Sequence, residues 1–145
     1  MEVNESRVRR LAGELRQAIQ RLTELAELDE SCFLDDPHKV ASAKYHLIVA
    51  TEAIIDISNH IISKNKLGTP EDYGDIFRLL GKAGIVPADF AGELMKMARF
   101  RNRLVHIYWD VDDAEIYRLL SDGVADMERF LKLLRETLSS YLDSG

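Results

Sequence analysis

Apolar residues recur at helical spacing from Val8 through Leu11, Ala12, Leu15, Ile19, Leu22, Leu25 and Ala26, while Arg9, Arg10, Arg16, Gln17, Gln20 and Arg21 fill the other side. The pattern predicts an amphipathic helix from about Asn4 to Leu28. Asp36-Pro37 has the form of an N-cap followed by proline at the first helical position, where a missing N–H costs nothing. No breaker follows until Lys66-Leu67-Gly68, so the second helix runs for about 28 residues, or about 42 Å. Thr69-Pro70-Glu71-Asp72 repeats the cap-plus-proline arrangement, with an acid three residues after the threonine, and predicts a short helix from Glu71 to Lys82. Gly81 and Gly84 punctuate its end, and Val86-Pro87-Ala88-Asp89 opens a fourth helix that runs through Phe90, Leu94 and Ala98 toward Arg101. Asp112-Asp113-Ala114-Glu115 places acids at the start of a final helix, whose apolar stripe from Ile116 to Leu138 carries it to about Leu142.

No alternating strand of useful length, repeat or low-complexity segment interrupts this order; Ala53-Ile54-Ile55-Asp56-Ile57 is embedded in a helical pattern. The fold class expected is therefore all-α, an antiparallel bundle of four to five helices forming a single domain over residues 1–145. A chain of 145 residues that is 46% hydrophobic and 30% charged suits one buried core. No apolar run approaches the roughly 20 residues of a membrane span, and the start Met1-Glu2-Val3-Asn4-Glu5 lacks a signal-peptide pattern, so a soluble, cytoplasmic protein without a membrane partner is expected. Cys32 is the only cysteine, which rules out an intrachain disulfide. The net charge of −6 argues against a surface that holds nucleic acid mainly by neutralising phosphates, so any RNA contact must be local.

The densest group of chemically capable side chains lies between the fourth and fifth helices, where Arg101, Asn102, Arg103, His106, Tyr108 and Trp109 fall within nine residues. On one continuous helix Arg101 and His106 point roughly 140° apart, since five residues at 100° overshoot a turn. Two arrangements bring them together. If the helix frays near Val105 and the chain becomes extended, His106 and Tyr108 point the same way and Arg101 converges on them. Alternatively, in a twofold dimer, Arg101 of one protomer meets His106 of the other. An arginine offers a fixed positive fork to phosphate oxygens, and a histidine exchanges protons near neutral pH. Together they suit metal-independent cleavage of RNA, with His106 as general base on the ribose 2′-hydroxyl and Arg101 stabilising charge at phosphorus.

Arg101-Asn102, three intervening residues, then His106, Ile107 and Tyr108 match an arginine, polar residue, histidine, any residue, tyrosine motif. With this motif, the segment Ala53-Ile54-Ile55-Asp56-Ile57-Ser58-Asn59-His60-Ile61-Ile62, the helix from Tyr73 to Leu80, and Met97-Ala98-Arg99-Phe100-Arg101-Asn102, the chain resembles the HepT-like toxins of the HEPN superfamily over nearly its whole length. The resemblance implies a homodimeric ribonuclease toxin with no cofactor, using Arg101 and His106 from both subunits and Asn102 in support. It also implies a partner, a minimal nucleotidyltransferase antitoxin of the MntA type, which adenylylates the motif tyrosine, here Tyr108, and so silences the RNase. The alternative function is a catalytically inactive HEPN-like dimeric module that binds such a partner.

Around the motif, Trp109 is expected as a core or interface aromatic. Glu52, Asp56 and Asn59 form a polar stripe on the second helix, from which Asp56, with His60 one turn on, is expected to orient Arg101 or His106. His38, His46 and His60 follow no metal-ligand spacing, so no metal site is expected. The glycines Gly68, Gly74, Gly81 and Gly84 are turn and cap residues rather than a phosphate-binding loop.

Overall fold

Five helix starts are capped by a short polar side chain. Asn4, Asp29, Asp36, Asp72 and Asp112 each accept a backbone N–H from the first helical turn that follows, satisfying a donor that the helix itself leaves free. The helices so begun are α1 (Glu5–Ala26), α2 (Glu30–Leu34), α3 (Pro37–Lys64), α4 (Tyr73–Lys82) and α6 (Asp113–Thr137). Between the last two lies α5 (Ala88–His106), which starts at Pro87 without a side-chain cap, and a 3-10 turn (Tyr108–Asp110) that follows it. The chain is seen in a computed structural model that describes residues 1–139, so the expected end of the last helix near Leu142 lies outside the described residues.

The all-α expectation holds, with six α-helices among the described residues rather than four or five. The additional one is α2, a five-residue helix too short to leave a periodic pattern in the sequence. Its Phe33 is fully buried and packs against Tyr117 at 5.4 Å between ring centroids, while the Tyr117 hydroxyl donates to the Leu28 carbonyl at 2.7 Å. The cap of α4 is Asp72, whose Oδ1 accepts from the Asp75 N–H at 2.8 Å, so the helix starts at Tyr73 and Thr69 and Pro70 remain outside it. Proline at N1 suits α3, where Pro37 directly follows the cap.

The long α3 lies at the centre, packed by α1, α2, α4, α5 and α6. Its burial on several sides explains its weak amphipathicity: Ile54, Ile55, Ile57, Ile61 and Ile62 are all inside. α1 is clearly two-faced and rests on α3 and α6. α3 ends with Lys66 at φ 52°, and the Leu67 N–H reaches the Ile62 carbonyl at 3.0 Å. The same closure ends α4, where Gly84 takes φ 77° and the Ile85 N–H bonds the Leu80 carbonyl at 3.0 Å. That turn sends the chain back, so that α5 packs on α4 and carries its C-terminal end to the middle of α3.

Candidate active site

Arg101 lies on the penultimate turn of α5, with its side chain 14% exposed. Its Nη2 donates to Glu52 Oε1 on α3 at 2.5 Å, and its Nη1 donates to Asn102 Oδ1 at 3.1 Å. The guanidinium carbon lies 5.7 Å from the centre of the Tyr73 ring at the start of α4. Three elements therefore fix one cation. Asn102 is half-buried beside it.

His106 is the last residue of α5 and is exposed. The helix does not fray at Val105: it continues through His106, Ile107 breaks it at φ −131° and ψ 50°, and the chain enters the 3-10 turn. The extended segment offered as one route to a common cleft is therefore not adopted. Donation from the Asp110 N–H to the Ile107 carbonyl at 2.9 Å accounts for this, since it coils the chain immediately after the break. Arg101 and His106 remain on one helix, roughly 140° apart by helix geometry.

Tyr108 opens the turn and is 47% exposed; Trp109, next to it, is 83% exposed. Val105 and Ile107, on either side of His106 in the chain, are exposed as well, so four exposed apolar side chains flank it in sequence. Trp109 is therefore not a core residue. Two cations tie this segment down from behind. Lys44 of α3 places its Nζ 4.2 Å from the centre of the Tyr108 ring and 3.2 Å from Asp113 Oδ1. Arg103 bonds both carboxylate oxygens of Glu115 on α6, at 3.1 and 3.4 Å, with Asp110 at 3.9 Å.

The polar stripe on α3 is distributed differently from the sequence expectation. Glu52 makes the contact to Arg101. Asp56, one turn on, is exposed and has neither Arg101 nor His106 as a partner; burial of its neighbourhood and the nearby Glu52 carboxylate hold its own carboxyl above the usual range. His60 faces the chain start, where its Nε2 accepts the Asn4 N–H at 2.9 Å. Burial, with the charges of Arg7 and Lys64, keeps that imidazole below its ordinary value. Sequence reasoning missed Lys44, although one signal was present: it falls in the apolar phase of α3 with Val40, Ala43 and Leu47. Among the described residues, no three His, Cys, Asp or Glu side chains converge as metal ligands, and no helix is long and apolar enough to cross a membrane.

The sequence model of the family described as Ribonuclease HepT-like matches residues 15–134, which include Glu52, Arg101, His106 and Tyr108. The chain belongs to that family. The mRNA nuclease HepT of Shewanella oneidensis is 28% identical over 121 residues, covering 83% of this chain and 90% of the relative. The tRNA nuclease HepT of Aphanizomenon flos-aquae is 32% identical over 96 residues, covering 66% and 63%. Among solved structures, the tri-AMPylated HEPN toxin of Shewanella oneidensis in complex with its MNT antitoxin superposes with a TM-score of 0.83 at 26% identity, covering 90% of this chain and 97% of that one. This HepT-like chain is thus a ribonuclease toxin of the toxin–antitoxin class, as its motif suggested.

Proposed function

We propose that this HepT-like ribonuclease cleaves RNA at a composite site in which Arg101 of one protomer and His106 of a second act on the same phosphodiester. The observation that carries this reading is their placement within one protomer: a continuous α5 sets the two side chains on different faces, while the exposed apolar residues Val105, Ile107, Tyr108 and Trp109 flank His106 in sequence. An exposed segment of this composition suits a protein contact, and a self-complementary twofold contact returns the missing partner to each site. In cleavage, neutral His106 takes the proton of the 2′-hydroxyl, whose oxygen attacks the adjacent phosphorus. The 5′-oxygen leaves and takes a proton from solvent, and a 2′,3′-cyclic phosphate remains. Arg101 neutralises the charge that builds on the phosphoryl oxygens, with Asn102 holding its guanidinium.

Control of this activity falls to Tyr108. Its exposed position at the motif suits it to accept AMP: the phenol oxygen attacks the α-phosphorus of ATP, pyrophosphate leaves, and the phenolic proton passes to a base of the MntA-like nucleotidyltransferase partner. Support comes from the relative whose AMPylated toxin was solved with its MNT antitoxin. The test is direct. The purified protein should cut cellular RNA in excess EDTA, sediment as a dimer, and lose cleavage in both Arg101→Ala and His106→Ala. Mixing the two inactive variants should restore a fraction of the activity, because one hybrid site is intact; unchanged cleavage in either single variant refutes the assignment. A protein that dimerises and binds the nucleotidyltransferase yet never cuts RNA would instead be the inactive binding module.

A further inference from the structure

We propose that Lys44 is a positioning residue for the Tyr108–Asp110 turn, holding the Tyr108 ring by its face so that the hydroxyl and the adjoining His106 are presented outward. The inference rests on the roles given above to Tyr108 and His106 and adds the device that orients them. A lysine on the buried side of a central helix is costly, because its ammonium loses water that an apolar side chain of the same volume never needed. Lys44 is only 9% exposed. Two groups offset that cost, the Asp113 carboxylate at 3.2 Å and the π face of Tyr108 at 4.2 Å. Both belong to the segment that follows His106: Tyr108 opens the 3-10 turn, and Asp113 is the first residue of α6. One ammonium group therefore joins the turn and the next helix to the middle of the bundle.

The direction of the contact matters for chemistry. A cation over the ring face engages the π electrons and does not consume the hydroxyl, so the phenol oxygen stays available to a nucleotidyltransferase while the ring is fixed. Without this hold, the turn keeps the Arg103–Asp110 contact at 3.9 Å, its own backbone bonds and the buried Val111 that follows it, none of which holds the Tyr108 ring. Tyr108, about half exposed, and Trp109, largely in solvent, then gain rotational freedom, and His106 is no longer presented in one orientation.

Trp109 is the only tryptophan of the chain and sits inside the turn, so its fluorescence anisotropy reads the order of this segment without any partner. Lys44→Met, which keeps the volume and removes the charge, should lower Trp109 anisotropy and reduce cleavage of total cellular RNA about five-fold or more through kcat. Lys44→Arg should recover most of both. Tyr108→Leu removes the ring from an exposed position and should lower the anisotropy to the same extent, with no further loss in the double variant. Unchanged anisotropy and cleavage in Lys44→Met overturn the proposal, as does a lowered melting temperature with Trp109 as ordered as before. Should Lys44→Met fail to fold, Tyr108→Leu against the wild type decides: unaltered anisotropy overturns the proposal. If the wild-type protein cuts no RNA, the ribonuclease reading fails, while the anisotropy series still tests Lys44.

Discussion

Glu52→Ala should destabilise the protein by more than the loss of an exposed ion pair, because of what it leaves behind. Arg101 is 14% exposed at the side chain and its partner 47%, and their atoms meet at 2.5 Å. A charge-assisted hydrogen bond contributes about 1.5–3 kcal/mol net, and the half-solvated carboxylate places this pair near the lower end. The Arg101 Nε is already buried with no hydrogen-bond partner. Without Glu52, the guanidinium retains the single bond to Asn102 and stays among protein atoms. We therefore expect a cost of about 1.5–2 kcal/mol, or a fall of roughly 5 °C in melting temperature for a chain of this size. Arg101→Met should cost less, since the carboxylate it leaves can rehydrate.

The assay is a double-variant cycle in urea with wild type, Glu52→Ala, Arg101→Met and the pair. The coupling should be about 1–1.5 kcal/mol, with the double variant scarcely worse than Glu52→Ala alone. Cleavage should fall about ten-fold in Glu52→Ala, as an unanchored guanidinium samples other rotamers, and by less in Glu52→Gln, whose amide oxygen still accepts a hydrogen bond. A coupling below about 0.5 kcal/mol would refute the argument that Glu52 is what holds Arg101.

Two pH-dependent predictions follow from α3. His60 must be neutral to accept the Asn4 N–H, and its imidazole is held below the unfolded value near 6.5, so the folded state binds the proton less readily than the unfolded chain. This contribution is complete above pH of about 6.5 and is lost as the pH falls below it; the amount is that of one backbone hydrogen bond, about 0.5–1.5 kcal/mol. It should appear as a difference between thermal melts of wild type and His60→Gln that narrows or reverses on acidification. Asp56 behaves oppositely: its carboxyl is held high by burial and by Glu52, so ionisation at neutral pH works against folding. Asp56→Asn should stabilise by a few tenths of a kcal/mol at pH 7, the gain vanishing below about pH 4, where the carboxyl is protonated in both states. Cleavage should be retained in this variant; a marked loss alongside the higher melting temperature would assign Asp56 a part in the site.

The regular elements were legible because each rests on local chemistry. Asp36-Pro37 marked the start of α3 to the residue, and the acids from Asp112 to Glu115 marked the first turn of α6, whose cap is Asp112. At α4 the expected cap was Thr69, with Asp72 as the acid three residues on; Asp72 is itself the cap, because its carboxylate accepts the Asp75 N–H, and the helix starts at Tyr73. The motif was also legible as a set of residue types. Its internal bonds were not, because they join positions far apart in the chain. Glu52 lies 49 residues from Arg101, and a three-residue polar stripe on α3 did not reveal which member faces α5. His60, on the same helix, turned out to secure the chain start instead. The turn at Tyr108 was missed for a different reason: a 3-10 turn of three residues has no sequence period, and besides its own backbone bonds its ring contact comes from a lysine on another helix.

The pattern of bonds around the motif bears on the acidic character of the chain. Arg101 is engaged by Glu52, Arg103 by Glu115, and Lys44 by Asp113, so these three motif-region cations each come with a carboxylate. Such pairing reduces the long-range attraction that a cluster of free cations would exert on any polyanion, in keeping with the net charge of −6. It also means that a phosphate gains most where a pair is already aligned but not fully used, as at Arg101, whose guanidinium carries five N–H donors. Selectivity for RNA is then a matter of chemistry at one phosphodiester, where a 2′-hydroxyl must be present to be deprotonated, rather than of general affinity for nucleic acid. On the proposed reading, a bulky anionic group on Tyr108, one residue beyond the break that follows His106, would stand where that phosphodiester must fit.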